Sequence, residues 1–236
     1  MAVVKALLFD VQGTATDFHS TVCGEARRIS AQPGVDWAHV VRRWRAAYFD
    51  ALQAAQPRGG WVSVHSVYRD ALDSVLDECA VTGLSDAQRD ELTAAWRRLT
   101  PWPDVLPGLA RLKSAFTIAT LSNADVSAVV NISKRAGLPW DAIFAAEMAG
   151  VFKPDPAIYR MAATYLGHDP AEIMMVASHK YDIRAAAGLG FRTAFVARPL
   201  EFGVDGEARL EADIAYSDEF DVNASDFLDL ADQLGC

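Results

Sequence analysis

The sequence predicts an α/β protein, a doubly wound parallel sheet interrupted after its first strand by a helical bundle. Three observations predict it. The chain opens on an apolar run, Val3 to Phe9, that climbs into a single carboxylate, Asp10, with a Gly13-Thr14 turn behind it. From Pro107 to Ala197, short β-branched runs alternate with helical patterns. Between these stretches, roughly residues 16 to 98, apolar residues recur at three- and four-residue intervals and no strand pattern stands out. Alternating strands and helices make a parallel sheet, and a helix-only excursion packs as a small antiparallel bundle. Residues 1–15 and 99–236 are therefore expected to form the sheet domain and 16–98 the inserted one, a division that 236 residues accommodate.

The first strand is apolar apart from Lys5 and reads as a buried central strand. Asp10 then stands at its carboxyl end, where open α/β sheets hold their ligands. A charge buried there needs partners. Gly13 permits a sharp turn, and the Thr14 hydroxyl can bond back to the carboxylate. Asp10 thus reads as a nucleophile, the alternative being a carboxylate that only caps the turn. Helices are expected over Thr21–Ser30, Trp37–Gln53 and Ser63–Ala80. A capping-box-like start at Ser85-Asp86-Ala87-Gln88 opens another, through Leu99. Gln56–Gly60 is a loop by composition, and Thr100–Pro103 ends the helical stretch.

In the second half a short helix through Lys113 precedes the strand Thr117–Leu121, which ends in Ser122-Asn123. A helix over Val126–Ala136 and a short strand at Ile143-Phe144 follow. Pro156, closing the Lys153-Pro154-Asp155 turn, is placed to start the helix Ala157–Leu166. Ile173–Ala177 is a buried strand, succeeded by Ser178-His179 and a helix from Asp182. Arg192–Ala197 is the last clear strand, and Ala224–Leu234 a closing amphipathic helix.

Composition excludes several classes. A net charge of -9 without a basic stripe opposes a nucleic-acid partner. Cys23, Cys79 and Cys236 are scattered, without a CxxC or zinc spacing, which suits a reduced cytoplasm. The N-terminal apolar run breaks at Asp10 without a cleavage pattern, and no apolar segment is long enough to span a bilayer, so a soluble cytoplasmic protein is expected.

Polar groups close three strands: Asp10, Ser122-Asn123 and Ser178–Asp182, with the Lys153 turn between the last two. In a parallel sheet these ends share one edge and can converge. In the segments FDVQGT (Phe9–Thr14), LSN (Leu121–Asn123), KPDP (Lys153–Pro156) and VASHKYDIRAAAGLG from Val176, the chain resembles the haloacid dehalogenase superfamily of hydrolases over nearly its whole length. The resemblance implies a Rossmann-like core, a cap inserted after the first motif, and Asp10 as nucleophile. Most members are Mg²⁺-dependent phosphatases with a second Asp two residues after the nucleophile as general acid. Gln12 holds that position here and cannot donate a proton in that role. Ser178 stands where the phosphatases carry their metal-binding Asp. The sequence is instead similar to the 2-haloacid dehalogenase branch, which implies a reaction with no metal and no cofactor. Asp10 would attack the carbon bearing the halogen and form an ester, and water would then attack the Asp10 carboxyl carbon, releasing a hydroxy acid inverted at carbon. A halide leaves without a proton, so Gln12 is tolerable.

The same resemblance distributes the other roles. Ser122, with the backbone amides after Asp10 (Val11, Gln12), would bind the substrate carboxylate, and Asn123 would help hold the halide. Lys153 would offset the charges of Asp10 and substrate as a compact cation. Asp182 would orient Lys153 or activate the hydrolytic water, the alternative being a helix-start charge favoured by the dipole. A halide-accepting arginine is expected in Trp44–Tyr48, hence Arg45. One turn of helix has room for one arginine to face the core, which leaves Arg42 and Arg43 on a solvated face. Trp44, Tyr48 and Trp61 either wall a dry pocket or pack as core. Two departures stand out. Ala177 and His179 replace the Ser and Asn of many of these dehalogenases, so that His179 either holds the water or bonds Asp182, its neutral form suiting both tasks, or only caps the following helix. Gln12 replaces an aromatic residue and reshapes the pocket. Expected substrates are small 2-haloacids, chloroacetate, 2-chloropropionate and fluoroacetate. The competing readings are a Mg²⁺-dependent phosphatase, the same Asp10 attack on another leaving group beside a carboxylate, and a non-catalytic binding module, which the intact Asp10, Ser122, Lys153 and Asp182 oppose. The helical insert offers a surface for a homodimer. His19, His39, His65 and His168 receive no role.

Overall fold

Six parallel strands form the sheet. The structure is a computed structural model that describes residues 3–30, 32–55, 61–204 and 212–236, so the Gln56–Gly60 loop lies outside the described residues. β1 (Ala6–Phe9) is wholly buried. It pairs with β4 (Thr117–Ser122) on one side, Ala6 opposite Thr117, and with β6 (Ile173–Ala177) on the other, Ala6 opposite Ile173. β5 (Ala142–Ala145) extends the sheet beyond β4, and β7 (Arg192–Val196) and β8 (Val222–Ala224) extend it beyond β6. Helices on both faces explain why the central strands are continuous apolar runs and not alternating ones. The chain runs outward in opposite directions from β1, which makes its carboxyl end the switch point of the sheet. Asp10 follows β1, Ser122 ends β4 and Ser178 follows β6.

Between β1 and β4 the chain makes α1 (Phe18–Ser30), α2 (Trp37–Ala55), α3 (Val64–Glu78) and α4 (Asp86–Thr93), with α2 packed on α1 and α3, and α4 on both of those as well. The α3 stripe Val64, Val67, Tyr68, Ala71, Leu72, Val75 and Leu76 is buried at the spacing read from the sequence. Ser85 and Gln88 form the expected capping box. After Thr93 the helix tightens to a 3₁₀ turn, Ala94–Arg97, which sets Trp96 against Phe18, Trp44 and Tyr68. Two short strands, β2 (Thr16–Asp17) and β3 (Thr100–Pro101), pair antiparallel where the chain leaves and rejoins the sheet layer. Both were missing from the sequence reading, since two residues show no period. The remaining helices are α5 (Val105–Leu112), α6 (Val126–Ala136), α7 (Ala146–Ala149), α8 (Pro156–Leu166), α9 (Lys180–Ala187) and α10 (Phe227–Gln233).

Several boundaries differ from expectation. The first helix begins at Phe18, because the Asp17 carboxylate accepts the Ser20 N–H and caps it there. α9 begins at Lys180 and not Asp182, since His179 is extended and forms its N-cap position without a side-chain bond. The closing helix starts at Phe227 because Asp226 accepts the Asp229 N–H, while Val222–Ala224 adds an edge strand. Among the described residues no helix is long and apolar enough to cross a membrane.

Candidate active site

The Asp10 carboxylate is buried at the end of β1 and has three partners. Oδ2 accepts from Thr14 Oγ1 at 2.7 Å and lies 3.4 Å from His179 Nδ1, and Oδ1 accepts from Lys153 Nζ at 2.8 Å. Gly13, at φ +94°, makes the turn that returns Thr14 to the carboxylate. The Thr14 hydroxyl also accepts the Ser178 N–H at 2.9 Å, which stitches the β1 end to the β6 end. Burial opposes ionisation of Asp10, yet the Lys153 ammonium, with His179 behind it, holds the carboxyl well below the usual carboxylate range.

Lys153 is fixed at both its ends. Its ammonium donates to Asp10, to Leu121 O at 2.9 Å and to Asp182. Burial disfavours that charge, and the two carboxylates more than restore it, so the pKa is raised. Its backbone N–H donates to Asn123 Oδ1 at 2.7 Å while its carbonyl accepts from Asn123 Nδ2 at 3.2 Å. Asn123 therefore clamps the Lys153 turn. Asp182 is 0% exposed, and its other oxygen accepts from Tyr159 OH at 2.6 Å. Burial pushes Asp182 up while it shares Lys153 with Asp10. It is a partner of Lys153 and not a free helix-start charge.

His179 occupies the N-cap position of α9, but its side chain neither caps that helix nor bonds Asp182. Among the described residues the partners of the Asp182 carboxylate are Lys153 and Tyr159, and the His179 ring instead bridges Asp10 and Glu201, with Nε2 2.7 Å from Glu201 Oε1. Nor is it neutral. Burial works against its charge, but Glu201 and Asp10 push the pKa up from 6.5 to about 10. The ring is expected to carry both protons at pH 8, and its stabilising charge, complete below 6.5, to be lost as pH rises through about 10. An NMR titration of the ring nitrogens checks this, and a neutral ring at pH 8 would contradict it.

Glu201 was missed by the sequence reading. It is 1% exposed, beyond β7, between Leu200 and Phe202. The only signal available was a lone carboxylate between large apolar residues just past a strand end. A Cβ on Gly13 would lie 2.2 Å from Glu201 Oε1, so the missing side chain of Gly13 is what admits this carboxylate to the site.

Arg45 is 4% exposed and donates to Gln12 Oε1 at 2.9 Å and to Tyr68 OH. Its guanidinium lies 4.6 Å from the Phe49 ring centroid and 5.0 Å from that of Phe18. No carboxylate is paired with it among the described residues, and its Nε has no partner. The expectation that one arginine alone faces inward is corrected. Arg42, three residues earlier and on the same helix face, is 6% exposed and donates to Phe202 O at 3.3 Å. Only Arg43 is on the solvated side, where it pairs with Glu78. Among the described residues the buried Ser122 hydroxyl has no hydrogen-bond partner. Val11 is buried directly after Asp10, and the Gln12 side chain is committed to Arg45 and Tyr68.

A cleft of about 740 Å³ leads inward past Phe49, Leu52, Phe152, Tyr181 and Phe202 to Asn123, Lys153 and His179. Beneath it Asp10, Gln12, Arg45, Tyr48 and Ser122 enclose a recess of about 10 Å³, room for roughly one water. Tyr48 walls this recess and donates to Asn123 O at 3.0 Å. Trp44 is core, donating to Tyr68 O, and Trp61 packs on Phe152. None of His19, His39, His65 or His168 lines the cleft or the recess. The superfamily's Mg²⁺ does not fit this donor set. Lys153 already bridges Asp10 and Asp182, the His179 ring bridges Asp10 and Glu201, and the fourth-motif position offers the Ser178 hydroxyl in place of a carboxylate.

The chain is 30% identical over 198 residues to an (S)-2-haloacid dehalogenase of Xanthobacter autotrophicus, covering 83% of this chain and 76% of that protein. It superposes on the crystal structure of a defluorinating L-2-haloacid dehalogenase with a TM-score of 0.91 and 36% identity, covering 99% of this chain and 96% of that one. It matches the Xanthobacter autotrophicus L-2-haloacid dehalogenase with chloropropionic acid covalently bound at TM-score 0.83 and 26% identity, covering 98% of each. The model of the haloacid dehalogenase-like hydrolases matches residues 4–190, from β1 to the end of α9 and just beyond, and the chain belongs to that family.

Proposed function

We propose that this protein hydrolyses small 2-haloalkanoic acids to 2-hydroxy acids through an ester on Asp10, without a metal. One observation carries the reading: at the inner end of the cleft an ionised carboxylate lies with a buried arginine and a buried serine hydroxyl that, among the described residues, have no carboxylate and no hydrogen-bond partner respectively. A haloacid supplies what each lacks. Its carboxylate meets Ser122 and the Val11 and Gln12 amides, its halogen meets Arg45 with Asn123 beside it, and its α-carbon faces Asp10. Thr14 and Lys153 hold Asp10 in position, and Asp182 holds Lys153. The segment 16–98 acts as a cap, bringing Arg45 and Tyr48 over the end of the sheet. The similarity to an enzyme with chloropropionic acid covalently bound supports the ester, and that to a defluorinating one supports fluoroacetate as a substrate. Three unpaired cysteines suit action in the cytoplasm.

The phosphatase alternative needs a proton donor at residue 12. The Gln12 oxygen accepts from Arg45 and Tyr68 and has none to give. The test is halide release from chloroacetate, (S)-2-chloropropionate and fluoroacetate with a chelator present, beside a phosphate monoester with Mg²⁺. Chloride from the first two, undiminished by the chelator, is expected. Phosphate release that depends on Mg²⁺, with no halide, would replace the reading.

A further inference from the structure

We propose that His179, oriented by Glu201, is the base that activates water against the Asp10 ester, and that Asp182 is not. The proposal rests on the ester reading above and assigns the step that follows it.

The first support is access. Asp182 is fully buried, its oxygens are taken by Lys153 and Tyr159, and it lines neither the cleft nor the recess. A water on the Asp10 carboxyl carbon cannot reach it without displacing Lys153. His179 lines both spaces, with Nδ1 3.4 Å from Asp10 Oδ2. The second support is orientation. A base that receives a proton at one ring nitrogen works best when the other is held by a carboxylate, and Glu201 holds Nε2 at 2.7 Å. Glu201 is itself braced, with Oε2 3.4 Å from the Ser178 hydroxyl and its path past Gly13 kept open by the absent Cβ.

Charge and proton balance then fit a full cycle. The groups facing the ring are Asp10, Glu201 and the Tyr181 ring, with Lys153 the cation on the far oxygen of Asp10. While Asp10 is ionised, the ring sits between two carboxylates and keeps both protons. When the Asp10 oxygen displaces halide, the carboxylate becomes a neutral ester and one of those two charges disappears. The Nδ1 proton then leaves through the cleft, which is the proton that overall hydrolysis of a carbon-halogen bond releases. The neutral Nδ1 takes a proton from water as the water oxygen bonds to the Asp10 carboxyl carbon. It returns that proton to the ester oxygen as the bond between this oxygen and the carboxyl carbon breaks. The hydroxy acid departs, Asp10 is left as the acid, and its proton passes back to Nδ1.

The experiment uses His179→Gln and Glu201→Gln with chloroacetate, following chloride by rapid quench and the intact protein by mass spectrometry. His179→Gln is expected to release about one equivalent of chloride per active site and then stall, its mass raised by one carboxymethyl group, with ester hydrolysis slower by about 10²–10⁴-fold. Glu201→Gln, a positioning variant that keeps the side-chain shape, is expected to turn over slowly with a partial adduct and a pH profile for ester hydrolysis displaced to lower pH, which a purely structural role would not produce. Undiminished turnover in both variants would overturn the proposal. So would loss of the first chloride equivalent without an adduct, or an adduct that builds up in Asp182→Asn and not in His179→Gln. Absence of chloride from the wild-type protein would instead remove the ester reading beneath it.

Discussion

Asp10→Asn is expected to lower haloacid turnover by at least about 10⁴-fold, the scale on which losing a covalent nucleophile is felt. The amide keeps the outline of the carboxylate and can still accept from Thr14 Oγ1, so the loop over Gly13 has no reason to move. What disappears is the anion. A neutral amide is a poor nucleophile toward saturated carbon, and no other carboxylate in the recess can substitute for it. Glu201 is shielded behind the His179 ring and Asp182 behind Lys153. Chloride release and intact mass check the outcome together. Turnover within tenfold of wild type, or an adduct still forming in the variant, would mean that another group is alkylated.

Lys153→Met is expected to produce the largest loss of stability, about 3–5 kcal/mol, because it leaves the buried Asp182 without its cation and Asp10 with the His179 ring alone. The ammonium joins Asp10 to Asp182 and to Leu121 O, and methionine replaces its bulk but none of those bonds. The sign of the pH dependence should also reverse. In the wild type the Asp10 pKa lies below its ordinary 3.8, so its contribution is present above that value and is lost as pH falls. Without Lys153, Asp10 keeps the His179 ring but Asp182 keeps no cation, and burial then raises Asp182 further, so the variant loses stability as pH rises through the new value of that carboxyl. Urea unfolding at pH 5 and pH 8 should show the variant more stable at the lower pH. Equal stability at both, or a loss under 1 kcal/mol or so, would show that the pair costs as much to desolvate as it returns.

Much of this arrangement was legible. The apolar runs of β1, β4 and β6 and the polar groups that end them place Asp10, Ser122 and Ser178 on one edge from pattern alone. The Pro156 start of α8 and the Ser85 capping box follow from local chemistry. What stayed hidden depends on contacts between distant segments. Asn123 was visible as a strand-end residue, but that it holds both backbone groups of Lys153 follows from how two loops meet. Arg42 is buried because Phe202 O reaches it from beyond β7, and no helix pattern contains that fact. Glu201 enters only because Gly13 has no side chain to stop it. The charge of His179 is hidden for the same reason, since its second carboxylate comes from that remote stretch.

The pairing of Thr16–Asp17 with Thr100–Pro101 bears on how such a protein can change over generations. The chain departs from the sheet layer and returns to it through neighbouring strands, so the helices between form a side excursion whose two ends meet. Lengthening, shortening or repatterning that excursion leaves the register of β1 against β4 and β6 unaltered. Arg45 and Tyr48 lie within it, whereas Asp10, Lys153, His179 and Glu201 lie outside. Variation in the groups that touch a ligand and conservation of the groups that touch the nucleophile can therefore be inherited separately, with the Gln12–Arg45 hydrogen bond as the joint at which the two histories must agree.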